Sequence, residues 1–129
     1  MATSIPPKLK TFSCSTDLSA KQYHFVKMSG ANNVVICAAI TDVPIGILQN
    51  APDGTYNKAA VVALLGGGGT SKLVAGGALA TAGTIVATKA DGRAQTAVAT
   101  QYPGATTIGT AGADGDIIEA SLGAPTVKA

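Results

Sequence analysis

The apolar residues of this chain come in short runs, and a turn signal closes each run. Runs of strand length bounded by Gly, Pro, Asn and Asp are the mark of β structure. Asp-Gly, a strong tight-turn dipeptide, stands at residues 53–54, 91–92 and 114–115. No segment sustains an apolar period of 3.6 residues with caps at its ends. The chain therefore reads as all-β, a small β-barrel or a β-clip-like or sandwich domain of seven to nine short strands. The Asp-Gly turns follow no fixed period, which excludes a solenoid.

The strands can be placed. Tyr23 to Met28 alternates and is followed by the turn cluster Ser29 to Asn33 and the apolar run Val34 to Ile40, which makes a hairpin. Ile45 to Gln49 is a short strand, and Gly46 inside it marks a bulge or a close backbone approach. Tyr56 to Leu65 is the next strand. The four glycines Gly66 to Gly69 read as a flexible hairpin tip leading to the strand Ser71 to Ala75. Thr84 to Thr88 pairs through Asp91-Gly92 with Arg93 to Val98. A short strand at Thr106–Gly109 and a closing strand from Asp116 to Leu122 complete the domain.

Residues 1–20 read differently. Pro6 and Pro7 bar a helix and bias their neighbours to extended forms. Ser13, Ser15, Thr16 and Ser19 keep the following stretch polar. The expected organisation is an extended N-terminal arm over 1–20 and a single β domain over 21–129.

Composition then excludes several functions. Of 129 residues, 24 are Ala, 16 Gly and 15 Thr, and Trp is absent, so the core is thin and built from Val, Ile, Leu and Ala. A hydrophobic share of 47% with a net charge of +2 is not that of a disordered chain. Nine Lys and Arg spread against seven Asp and Glu give no basic face, so no direct nucleic-acid partner is expected. The opening residues have no apolar signal region, and Leu73 to Thr88 falls short of a membrane span. The expectation is a soluble protein made inside the cell, with no membrane partner.

No cofactor, metal or catalytic residue is expected. Cys14, Cys37 and His24 are the only residues of their types, and their spacing matches no zinc loop. Cys37 reads as a small core residue. A disulfide to Cys14 is possible but unnecessary. His24, beside Tyr23 and Phe25, reads as a strand residue with a hydrogen-bond partner, and no G-x-S-x-G accompanies it. Gly66 to Leu73 fails the phosphate-loop pattern, with Ser71 where Gly belongs and Leu73 where Ser or Thr belongs. Asp114 and Asp116 flank a turn glycine and supply too few oxygens for calcium.

The order of the remaining pieces resembles a family of small phage capsid cement, or decoration, proteins. Phe25-Val26-Lys27, Pro44 to Asn50, Ala59 to Val62 and Ser71 to Gly77 carry the resemblance, followed by Ala82 to Ala87, Asp91 to Ala94 and Asp114 to Glu119. It spans about 100 residues, and the proline-bearing arm and the Gly66–Gly69 run depart from it. The resemblance implies a non-enzymatic protein on the outer surface of a tailed-phage head. Its partners are then the assembled major capsid protein and itself, as a homotrimer at three-fold and quasi-three-fold sites. Under that reading the arm lies along capsid protein as an added strand. Ile5, Leu9 and Phe12 are its apolar anchors, and Lys8 and Lys10 meet an acidic capsid surface. The competing reading is a tail-associated or receptor-binding β module of the virion, against which the 4% aromatic content argues.

Overall fold

The computed structural model describes residues 7–98 and 101–123. Strands are the only regular elements among them: β1 (Leu9–Ser13), β2 (Phe25–Met28), β3 (Val34–Ile36), β4 (Gly46–Leu48), β5 (Ala59–Leu64), β6 (Thr70–Val74), β7 (Ile85–Thr88), β8 (Ala94–Thr96), β9 (Ala105–Thr107) and β10 (Ile117–Leu122). They form two antiparallel five-stranded sheets, ordered β1-β5-β4-β2-β3 and β6-β10-β9-β7-β8. The all-β expectation holds in its sandwich form. The predicted hairpins β2–β3 and β7–β8 are both present, as are the predicted strands at β4, β5, β6, β7, β9 and β10.

Residues 9–18 are not an arm. β1 pairs with β5 along its whole length, from Leu9 opposite Ala63 to Ser13 opposite Ala59. Phe12, Cys14 and Leu18 then enter the core beside Val26, Val34, Leu48, Ala60 and Val62. The proline pair signalled an extended segment correctly, but nothing local reveals that its partner strand lies on the far side of β2, β3 and β4. Ile5 lies outside the described residues.

Alternation divides the first sheet into two buried faces. Phe12 opposite Ala60, Leu48 opposite Val62, and Val26 opposite Ile36 line one face. Phe25, Ile47 and Ala63, in register across β2, β4 and β5, line the other. This second face joins the second sheet in one buried cluster with Leu73, Val86, Ile118 and Leu122. Each sheet also rolls until its edges meet. Ser13 bridges Asn33 in the first, and Ala75 bridges Ala94 in the second, both parallel. Rolling leaves little unpaired edge.

The two sheets are copies of one unit. Strand lengths run 5, 4, 3, 3 and 6 residues in β1 to β5, and again in β6 to β10. Replacing β1–β5 by β6–β10 converts one strand order into the other. Backbone hydrogen bonds repeat in the same places. Leu64 N–H donates to Lys8 C=O at 2.9 Å, and Leu122 N–H to Gly69 C=O at 3.0 Å. Cys14 N–H donates to Lys58 C=O at 2.9 Å, and Ala75 N–H to Asp116 C=O at 2.8 Å. The turn bonds Ser29 N–H to Asn33 C=O and Lys89 N–H to Arg93 C=O are both 2.7 Å. The described non-glycine residues with positive φ, Tyr23 (66°) and Asn32 (58°), correspond to Gly83 (83°) and Gly92 (84°). The left-handed region is strained for Tyr and easy for Gly, so the backbone position is common to both copies. The offset is 61 residues from Lys8 to Gly69 and 58 from Leu64 to Leu122, and loops absorb the difference.

Two glycine readings are decided here. Gly66 to Gly69 is not a hairpin tip, because β5 and β6 lie in different sheets. The run carries the chain from one copy to the other, with Gly66, Gly68 and Gly69 at φ of 81–83°. Gly46 is a close approach, as expected: a Cβ there would overlap the Ala63 carbonyl oxygen and a Val62 methyl.

Candidate functional site

The groups that could carry chemistry are engaged in holding the fold. His24 is buried and its Nδ1 lies 3.1 Å from the Gln22 carbonyl. Burial lowers its pKa, which keeps the ring neutral near pH 7. Cys14 and Cys37 are free and buried. Burial, helped by the nearby Asp42 carboxylate, pushes the Cys37 thiol up to about 12. Neither cysteine is a thiolate nucleophile or ligand at neutral pH. Among the described residues, no three His, Cys, Asp or Glu side chains converge as a metal site.

The acidic residues tie loops. Asp53 accepts the N–H groups of Thr55, Tyr56 and Asn57 at 2.8–2.9 Å. Those bonds, the one from Asn57 first, hold its carboxyl below the usual carboxylate range. Asp116 accepts from Gly112 and Ala113 at 3.0 and 3.1 Å, which is the turn role expected of it. Arg93 joins two turns by pairing with both Asp91 and Asp114. Its bond to Asp91 is the main reason that carboxyl falls to about 2. Lys27 pairs with Asp42 at 2.9 Å, and Asp42 also accepts from Ala38 and Ala39.

Of the proposed anchors, Lys8, Leu9 and Lys10 are exposed on or beside β1. Phe12 is only 7% exposed and packs inward, so it serves the fold rather than a partner. Lys10 Nζ sits 5.6 Å over the Phe12 ring, which ties the exposed charge to the buried anchor. Lys8 packs against Gly67, where any Cβ would crowd it.

Two exposed features were not legible as surface. Ile85 and Ile108 lie on the outward face of the second sheet, 51% and 44% exposed. Ile85 opens an apolar run and Ile108 stands alone among Thr and Gly, and residue type alone does not say which side of a sheet is open. Tyr56 is 95% exposed at the tip of the loop that Asp53 ties down, a rigidly presented aromatic ring. Aromatic rings are enriched at interface centres.

No family model and no curated protein matches this chain. Among solved structures it is similar to the N base of head fiber gp8.5 of bacteriophage phi29, with a TM-score of 0.69 and 13% identity. The match covers 96% of this chain and 100% of that one. At that identity the likeness is one of fold, and it extends over both five-stranded copies.

Proposed function

We propose that this chain is a non-enzymatic structural protein of a phage virion. It binds the outer surface of the assembled major capsid protein lattice, as a cement or decoration protein, in trimers at three-fold and quasi-three-fold sites. The observation that carries the reading is the whole-length fold likeness to the base of a phage head fiber. Fold alone does not give function. The cement-family order of motifs in the sequence supports the same reading independently, and the polar groups described above are spent on turns and loops.

Lys8 and Leu9 are the capsid-contacting residues in this proposal. They are exposed and lie on or beside β1, which borders the rolled first sheet. Many copies on a lattice make weak individual contacts sufficient. The test is co-sedimentation of the purified protein with DNA-filled heads that lack it, with copy number read by densitometry. Saturable binding at a copy number comparable to the capsid protein is the expected result. Binding of only a handful of copies per particle supports the tail-associated or receptor-binding alternative. Lys8→Glu with Leu9→Asp is expected to weaken binding while leaving the fold intact, because both side chains are exposed. Deleting residues 1–12 is not a usable test, because it removes Phe12 and most of β1 from the domain.

A further inference from the structure

The contact between the two copies within the chain is head to tail. The first copy contributes its β2–β4 face, and the second contributes the seam between β6 and the β7–β8 turn. Val74 N–H donates to the Tyr23 carbonyl at 3.1 Å, and Phe25 N–H donates to the Gly92 carbonyl at 2.7 Å. Gln49 Nε2 donates to Ser71 Oγ at 2.8 Å. A contact that joins different surfaces of equivalent units leaves one half of itself unused at each end.

Both unused halves can be named from the repeat. The free face on the second copy has Ile85 where the first has Phe25, and Ile108 where the first has Gln49. Phe25 is 1% exposed while Ile85 is 51% exposed. The free seam on the first copy has Lys10 where the second has Ser71, Ser13 where it has Val74, and Asn32 where it has Gly92. Lys10, Ser13 and Asn32 are all exposed. Within the chain this seam closes on itself, with Ser13 N–H donating to the Asn32 carbonyl at 2.7 Å.

We propose that a second copy of this chain docks the Lys10–Ser13–Asn32 seam of its first repeat onto the Ile85–Ile108 face, reproducing between chains the contact already made within one. The seam opens to do so. Ser13 N–H turns to the Gly83 carbonyl and the Asn32 carbonyl accepts from Ile85 N–H, so one bond is exchanged for two. This rests on the reading of the protein as self-assembling on a head. It assigns the interface, and it makes the contact heterologous, so that copies join head to tail, in a ring where the rotation closes, rather than pair about a two-fold axis.

The test mixes full-length Lys10→Cys and Ile108→Cys proteins, free and on heads, and adds a short bismaleimide. Wild type serves as control for the two buried native thiols. A cross-linked dimer in the mixture, with neither single variant cross-linking to itself, is expected. Ile85→Asp added to the Ile108→Cys partner is expected to lower the yield roughly tenfold without lowering the melting temperature. Self-cross-linking of Ile108→Cys, which signals a two-fold contact, overturns the proposal. So does saturation of heads with no Lys10–Ile108 product, and in that case the capsid-binding reading stands. Cross-linking of the free proteins without any binding to heads supports this interface and removes the capsid-binding reading instead.

Discussion

Phe25 and Ile85 occupy the same position in the two copies, and their substitution by alanine is expected to have very different effects. Phe25 is 1% exposed and belongs to the cluster that joins the sheets. The cluster is closely packed and rich in small side chains, among them Ala75, Ala94, Ala105 and Ala120, which cannot extend to fill the space a lost ring would leave. Phe25→Ala is therefore expected to cost about 3–5 kcal/mol, the range for deleting a buried aromatic ring. Unfolding entropy of roughly 2.1 cal/mol/K per residue converts this to a fall of about 11–18 °C in melting temperature. Ile85, half exposed, has lost little water on folding, and Ile85→Ala is expected to cost under about 1 kcal/mol. Thermal melts followed by circular dichroism, with urea titrations to show an unchanged m-value, measure both. Wild type should unfold in one transition, because the shared cluster couples the copies. Equal losses for the two variants, or two separate transitions in wild type, would refute the head-to-tail packing from which the free face was deduced.

Gly46→Ala should destabilise by about 3 kcal/mol, since the added methyl meets the Ala63 backbone inside a sheet that cannot spread; chemical denaturation checks this. Burial depresses the His24 pKa below its unfolded value near 6.5. The unfolded chain then binds the proton more readily, so stability is full above that pH and falls as the pH drops below it. A pH series of melts should show the decline, and His24→Gln should flatten it. Asp91, held at about 2 by Arg93, stabilises above its unfolded pKa near 3.8, and that contribution is lost as the pH falls toward 2. Arg93→Ala should bring the Asp91 titration, followed by NMR, back toward the ordinary carboxylate range. Cys14 and Cys37 should resist a thiol reagent in the native protein and react on unfolding, because both are buried and their pKa values are raised.

Local chemistry wrote much of this fold into the sequence. Strand positions followed from short apolar runs, and the β7–β8 hairpin followed from Asp91-Gly92. A glycine inside a strand announced either a bulge or a close approach at Gly46, and the packing against Ala63 decided for the second. The turn role of Asp116 and the inertness of Cys37 were also readable, because each depends on neighbours in the chain or on residue type alone.

What depends on distant pairing was decided only by the tertiary structure. β1 looks like an arm because the prolines that precede it are local and its partner β5 is not. Gly66 to Gly69 signals a reversal, but whether the chain returns to the same sheet depends on where β6 finds its partner β10. The internal repeat left almost no trace in residue identity. Over the paired strand positions only Val26 with Val86 and Leu64 with Leu122 coincide. A backbone bond pattern needs only residues of suitable size and polarity on each side of a strand, so it survives replacement of nearly every side chain. The same freedom hides the exposed face. Phe25 and Ile85 are both apolar residues that open a strand, and only the packing of one copy against the other buries the first and leaves the second in water.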